Sequence, residues 1–363
     1  MKTILVVFGT RPEAIKLAPL IKELKRREGI RALVAVSGQH REMLYPVLAA
    51  FGIEPDFDLS LFREGQGLSD LTAGVLLGIP EVFQACMPDL VLVQGDTVTA
   101  FAGALAAFYH RIPVGHIEAG LRSGSLSSPF PEEFNRRAIS LLSRYHFAPT
   151  EDARGKLLAE GIDAGSVFVT GNTAIDALGL TVCDSFSHPI LDWVGGRRLV
   201  ILTSHRRENL GEPMRHFFEQ IRAVLSRYSD ACAIFPLHKN PEVRRVAQDV
   251  FDGCDWIRLI EPLDVFTFHN LLARCYLVLS DSGGIQEEAT ALGKPLLVLR
   301  DTTERPEGIA SGVLRLVGTD GVLLGSLLSS LLSDRELYAS MAKPSDRYGD
   351  GRASARIADI LMN

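Results

Sequence analysis

The chain has 363 residues and is 47% hydrophobic, enough for a substantial core and for about two domains. Its net charge of −6 and pI near 5.9, with Lys and Arg spread along the chain, disfavour a general nucleic-acid or membrane-surface role. Five cysteines, odd in number and without a CxxC pair, speak against a disulfide frame or a zinc site and for free thiols in a reducing compartment.

The N-terminal MKTILVVFGTRPE holds one lysine and a short apolar run before Arg11. That run is too short for a signal segment or a membrane span, so the cytoplasm is the expected compartment. Short apolar runs rich in β-branched residues then recur, each ahead of a helix-like segment: TILVVF (3–8), ALVAVS (32–37), DLVLVQ (89–94), VGHIEA (114–119) and VFVTG (167–171). The series resumes with RLVILTS (198–204), CAIFPL (232–237), WIRLI (256–260), YLVLS (276–280) and PLLVLR (295–300). Runs that are continuous rather than alternating indicate parallel strands buried on both faces. Two such series predict two Rossmann-like, doubly wound α/β domains facing a cleft. The boundary is expected after Gly171, giving domains 1–171 and 172–351, because the polar, proline-bearing CDSFSHPILDWVGGRR (183–198) precedes the second series. Periodicity leaves open which domain takes the last helix, about 352–363.

In open α/β sheets ligands bind at the carboxyl ends of strands, so the polar residues there are the candidates. In VFGTRPEAIK, Gly9 permits a tight exit, Thr10 and Glu13 have capping-box spacing, and Arg11 and Lys16 lie near the helix start. An ordinary capped helix with surface cations explains that stretch equally well. In VQGDTVTA, Asp96 stands at the sheet edge, where it is either a functional carboxylate or a helix N-cap. GHIEAGLRSG is harder to explain as scaffold, because His116 and Glu118 share a face of an otherwise apolar strand and a buried carboxylate needs a partner or a purpose. PFPEEFNRR adds Glu132 and Glu133 at a helix start, one of them expected merely to stabilise the first turn.

In the second series, HRRENLGEP places His205, Arg206 and Arg207 straight after a strand, suited to a diphosphate or a developing negative charge. PLHKN brings His238, and EPLDVFTFHNLL brings Phe268 and a Phe266 expected in the core. SDSGGIQEEA follows the strand YLVLS and opens a helix, so its backbone N–H groups suit a phosphate, and Glu288 a turn and a half on suits ribose hydroxyls. It is neither GxGxxG nor GxxxxGK[ST]. RDTTERPEG, dense in charge and hydroxyls, adds Arg305 to the expected substrate contacts.

Taken together, FGTRPEAIK, GQHREML, GDT, HIEAGLRSG, PFPEE, GNTAIDAL, HRRENLGEP, SDSGGIQEEA and LGKPLLVLRDTTERPEG resemble the non-hydrolysing UDP-N-acetylglucosamine 2-epimerases, and most closely those of Gram-positive bacilli. The resemblance spans nearly the whole chain. It implies a GT-B-like pair of domains with UDP held by the second, a C-terminal helix returning to the first, a homodimer, and no nicotinamide or obligatory metal. Ser282, Gly283, Gly284 and Glu288 would hold diphosphate and ribose, Phe268 would flank uracil, and Arg11 and His205 would meet the phosphates or the breaking bond. Lys16, Asp96, Glu118 and Glu132 would surround the sugar. Bacillus-like members take a second UDP-GlcNAc as activator, for which Gln39, Arg63, Arg207 and His238 are the corresponding positions. The chain departs from the pattern at Gln94, where His is expected, and at Ser127, where a Tyr is expected nearby.

The implied reaction is reversible C2 epimerisation of UDP-GlcNAc to UDP-ManNAc by elimination of UDP and re-addition. Alternatives are a hydrolysing 2-epimerase that releases ManNAc and UDP, a glycosyltransferase of the same fold, and a UDP-sugar sensor without catalysis.

Overall fold

The apolar runs become parallel strands with helices between them. The computed structural model describes every residue except 39, 40, 64, 207 and 208 and the side chain at 41. The chain forms two units, Met1–Leu180 with Gly349–Asn363, and Thr181–Tyr348.

In the first unit, β1 (Lys2–Phe8), α1 (Arg11–Arg26), β2 (Ile30–Val36), α2 (Arg41–Ala50), β3 (Phe57–Asp58), α3 (Leu68–Cys86) and β4 (Leu90–Gln94) lead to α4 (Val98–Tyr109). β5 (Val114–Ile117), α5 (Glu132–Leu142), β6 (Tyr145–Ala148), α6 (Glu151–Ala159), β7 (Val167–Val169) and α7 (Thr173–Thr181) follow. The strands form one sheet in the order β3-β2-β1-β4-β5-β6-β7 with every pair parallel. β4 is buried along its whole length, as a strand covered by helices on both faces must be.

The second unit runs through α8 (Pro189–Val194), β8 (Arg198–Thr203), α9 (Glu212–Leu225), β9 (Ala231–Pro236), α10 (Pro241–Phe251), β10 (Ile257–Ile260), α11 (Val265–Arg274) and β11 (Leu277–Ser280). It continues with α12 (Gly283–Leu292), β12 (Leu296–Val298), α13 (Pro306–Ala310), β13 (Leu314–Leu316), α14 (Gly321–Ser333) and α15 (Arg335–Met341). Its sheet has the order β10-β9-β8-β11-β12-β13, again all parallel. Along β8, Leu199 and Ile201 enter one core and Val200 and Leu202 another, so the two faces of a strand serve two helix layers.

The last helix, α16 (Ala353–Met362), is part of the first unit. Asp176 caps it, accepting from Ala353 N at 3.1 Å and Ser354 N at 2.6 Å, and Lys2 Nζ donates to Leu361 O at 2.7 Å. Both sheets have the strand order of a Rossmann fold, with the reversal between β1 and β4 in one and between β8 and β11 in the other. The crevice at the carboxyl ends of those two pairs is where such sheets take ligands, and the candidate residues gather there. Among the described residues no helix is long and apolar enough to cross a membrane.

Candidate active site

At the β1/β4 switch point the chain must leave β1 tightly. A Cβ on Gly9 would lie 2.1 Å from Ser37 Oγ and 2.5 Å from Thr99 Oγ1, so only glycine fits. Glu13, buried in the first turn of α1, accepts from Gly9 N at 3.1 Å, Thr10 N at 2.8 Å and Thr97 Oγ1 at 2.8 Å. It therefore ties the turn carrying Arg11 to the turn carrying Asp96. Burial pushes its carboxyl up to about 7, against the hydrogen bonds from Thr10, Thr97 and Gly9.

Asp96 is not the helix cap. Thr97 caps α4, accepting from Ala100 N at 3.0 Å, which leaves the Asp96 carboxylate out of the cap. Its side chain pairs with Arg136 of α5 at 2.7 Å, while its backbone oxygen accepts from Asn135 Nδ2 at 2.9 Å. Burial, opposed by Arg136 and reinforced by the charges of Glu118 and Glu132, raises its pKa to about 6. A carboxyl so poised can both take and give a proton near neutral pH.

Glu118, just past β5, is ion-paired with Lys16 Nζ and accepts from Gln94 Nε2 at 3.0 Å. Gln94, where the resemblance leads one to expect His, is thus a donor to this carboxylate. The backbone of Glu118 has φ of 63°, a left-handed conformation that a non-glycine residue holds only at a cost of about 1–3 kcal/mol. His116 points into the sheet edge, where its Nε2 meets Gly95 O at 2.7 Å. Burial lowers its pKa to about 3, so the ring is neutral and donates from Nε2, holding the Gly95-Asp96 turn.

The two adjacent glutamates of α5 part company. Glu133 is wholly buried and accepts from Ser123 N at 2.9 Å, fastening the preceding loop to the helix. Glu132 keeps a buried Oε2 without a hydrogen-bond partner among the described residues, and its charge is felt at Asp96. Asp96, Glu118 and Glu132 thus form one cluster with Lys16 and Arg136 as its cations. Arg136 escaped the sequence reading, although its place four residues after Glu132 put it on the same helix face.

At the β8/β11 switch point, α12 starts at Gly283 with Ser282 as its N-cap residue, and the Ser282 side chain makes no cap hydrogen bond. First-turn N–H groups of that kind favour an anion. Arg305, expected as a substrate contact, is buried; its Nε donates to Glu287 Oε1 at 2.6 Å and its Nη1 to Glu304 Oε1 at 2.8 Å. Burial opposes ionisation of Glu304, yet Arg305 and Arg300 hold it down to about 2. The guanidinium lies under Gly283, where a Cβ would come within 2.6 Å of Arg305 Nη1. Glu288 meets His269 Nε2 at 3.5 Å, and Phe268 packs half-buried on the adjoining core. His205 stacks on His238 with centroids 5.3 Å apart. Arg63 lies exposed in the first unit, on the loop before α3. Gln39 and Arg207 fall outside the described residues.

One Rossmann-like unit thus carries a carboxylate cluster at its switch point, and the other the glycine-led start of α12. The family model described as UDP-N-acetylglucosamine 2-epimerase matches residues 22–362. The chain is 53% identical to the Bacillus subtilis UDP-N-acetylglucosamine 2-epimerase over 99% of this chain and 94% of that protein. It is 44% identical to the Escherichia coli protein of the same name, over 99% and 98%. Among solved structures, the S. aureus MnaA–UDP co-structure matches with a TM-score of 0.94 at 47% identity, over 99% of this chain and 96% of that one. The Neisseria meningitidis UDP-GlcNAc 2-epimerase bound to UDP-GlcNAc matches with 0.93 at 44% identity, over 99% of both chains. The chain belongs to the UDP-N-acetylglucosamine 2-epimerase family, and it is an enzyme, an epimerase.

Proposed function

We propose that the protein interconverts UDP-GlcNAc and UDP-ManNAc without releasing free sugar. The C2 hydrogen of the substrate has no neighbouring carbonyl to acidify it, so departure of UDP from C1 leads. The C1–O bond breaks with its electron pair on UDP, C1 becomes cation-like, and the C2 proton passes to a carboxylate as the C1–C2 double bond of 2-acetamidoglucal forms. Return of UDP to C1 with protonation of C2 from the other face completes the inversion.

The observation that carries this reading is the carboxylate cluster of Asp96, Glu118 and Glu132, with Asp96 near pH 6 and Glu118 strained and ion-paired to Lys16. Proton transfer on two faces of C2 calls for more than one carboxyl group, and such groups also steady a cationic C1. The nucleotide falls to the second unit: Ser282, Gly283 and Gly284 for diphosphate, Glu288 for ribose, Phe268 for uracil. Arg305, bound to Glu287 and Glu304, serves by shaping the glycine turn. Arg11 and His205 answer the charge on departing UDP.

Two finer features go with the proposal. Exposed apolar side chains on α3 to α5, Leu77, Phe108, Tyr109, Phe134 and Leu141, suit a homodimer contact through the first unit. Gln39, Arg63, Arg207 and His238 are the residues assigned to a second, activating UDP-GlcNAc. Incubation with UDP-GlcNAc in D2O, followed by NMR, tests the reaction. UDP-ManNAc deuterated at C2 is expected; free ManNAc selects a hydrolase, and absence of turnover removes the epimerase reading.

A further inference from the structure

Asp281, directly after β11, has no part in the roles assigned above, yet it is wholly buried. Its Oδ2 accepts from Ser204 Oγ at 2.9 Å, His205 N at 2.8 Å, Arg206 N at 2.9 Å and Asn209 Nδ2 at 3.1 Å. Its Oδ1 is also buried and makes no aligned hydrogen bond among the described residues; His205 Nδ1 stands 3.2 Å away. One oxygen builds the loop after β8, and the other faces the imidazole that the loop carries.

Burial pushes this carboxyl up, but the His205 ring and the N–H groups of Arg206 and His205 outweigh it and bring it to about 2, so it stays ionised. The face of the His205 ring is held by His238, 21° from parallel. His238 Nδ1 accepts from Asn240 N at 3.1 Å, so its own proton is on Nε2. Burial, with His205 beside it, lowers the His238 pKa, which makes that ring a neutral platform. His205 itself is 40% exposed, so a ring gripped by edge and face still reaches ligand. An imidazole whose Nδ1 meets a carboxylate presents Nε2 on the opposite edge.

We infer that Asp281 is a positioning residue for the reaction: its Oδ1 fixes a proton on His205 Nδ1 and turns Nε2 toward the diphosphate oxygen of the leaving UDP. This rests on the role proposed for His205. With Nδ1–H committed to the carboxylate, Nε2 is the edge left to meet that oxygen, and Asp281 balances the charge whenever the ring carries a second proton and donates it as Nε2–H. A catalytic hydrogen bond that is poorly aligned without ligand tightens when ligand arrives.

Asp281→Asn tests this on the full-length protein, because an amide oxygen can replace Oδ2 toward the loop donors while an NH2 group then opposes His205 Nδ1. Imidazole 15N NMR, with the His205 signal assigned by its loss in His205→Asn, is expected to show a proton on Nδ1 in the wild type and a neutral ring with a bare Nδ1 in the variant. The kcat for UDP-GlcNAc should fall about 10–100-fold with KM little changed, the range found when an orienting partner is lost. Adding Asp281→Asn to His205→Asn should cost nothing more. The inference is overturned by an unchanged tautomer, or by a double variant that loses the product of the two single losses, since Asp281 would then act through the loop alone. If Asp281→Asn does not fold, the wild-type spectrum decides, and a His205 Nδ1 without a proton there overturns the inference. A wild type that fails to epimerise would remove the reading of the reaction and leave the tautomer result standing.

Discussion

At the β1/β4 switch point a buried carboxylate, Glu13, reaches across to Thr97; at the β8/β11 switch point another, Asp281, reaches back to Ser204, His205 and Arg206. Both tie together the two loops between which a Rossmann-like sheet takes ligand, and both are almost without exposure, 1% and 0%. Their charge states are nevertheless opposite. Glu13 accepts from two backbone N–H groups and a hydroxyl, all neutral, and burial lifts it to about 7. Asp281 adds an imidazole to its neutral donors and comes to about 2. Depth alone does not fix the ionisation of a buried acid; the charge of what faces it decides.

The same contrast runs through the neighbouring groups. The first unit gathers the carboxylates Asp96, Glu118 and Glu132, with Asp96 raised to about 6, and the second places His205 and the start of α12 at its switch point, the division of labour proposed for proton transfer and for the leaving diphosphate. The sharpest way to break this division is to remove a group from one side only. Asp96→Asn and Glu118→Gln should each lower kcat by about 10²–10⁴, the range of general acid–base assistance, or more where the group also steadies the cation. UDP affinity, measured by calorimetry, should hold within about twofold, as expected of sites that share no partners. Affinity falling in step with kcat would mean that the two units do not divide the substrate as proposed.

How much of this was legible in the sequence depends on length and on company. The long apolar runs of β1, β4 and β8 announced parallel strands, whereas β3 (Phe57–Asp58), β6 (Tyr145–Ala148) and β13 (Leu314–Leu316) escaped: the first is two residues long, the second reads YHFA, and the third carries an arginine. Asp96 and Glu118 could be picked out because a carboxylate at the end of an apolar strand needs a reason. Whether Asp96 capped its helix could not, since Thr97 beside it is an equally good cap and only the folded turn decides which one serves. Glu132 and Glu133 are chemically identical in sequence, and the Ser123 N–H that claims Glu133 lies across a loop. Arg305 was expected among the substrate contacts, and its ion pairs with Glu287 and Glu304 could not be foreseen, because a cation's partners cannot be read from composition. Glu13 and Asp281 were hidden in plain motifs, because a capping box and a polar strand end each have an ordinary explanation.

A smaller effect tests the ionisation contrast itself. The folded-state pKa of Glu13, about 7, lies above the ordinary 4.5, so the native state binds its proton more tightly than the unfolded chain does. Its contribution is therefore complete below the ordinary value and is lost as pH rises through 7, by up to about 3 kcal/mol. Glu13→Gln, which offers an oxygen to Gly9 N and Thr10 N and an NH2 group to Thr97 Oγ1, lacks that dependence. Thermal unfolding between pH 5 and 8 should show the wild type losing stability relative to the variant as pH rises. Parallel curves would mean that Glu13 is as comfortably ionised as Asp281, whose depressed pKa puts its own loss at the acid end, as pH falls from 3.8 toward 2.

The smallest effects come from the glycines that open the two loops. A Cβ at Gly9 meets Ser37 Oγ at 2.1 Å and Thr99 Oγ1 at 2.5 Å, and those hydroxyls are themselves bonded to each other at 2.9 Å in a fully buried place. Neither can retreat without breaking that bond, so Gly9→Ala should destabilise the first unit by about 1–3 kcal/mol, as overpacking does, and leave UDP affinity alone. At Gly283 the obstacle is the guanidinium of Arg305, with Nη1 at 2.6 Å and Cζ at 2.9 Å. That group is the end of a long side chain and can shift, but only by stretching its bonds to Glu287 and Glu304. Gly283→Ala should therefore cost about 1 kcal/mol, one hydrogen bond's worth, and should show it in weaker UDP binding rather than in the unfolding of the first unit. Equal UDP affinity in Gly283→Ala and the wild type would mean that the α12 turn does not hold the diphosphate.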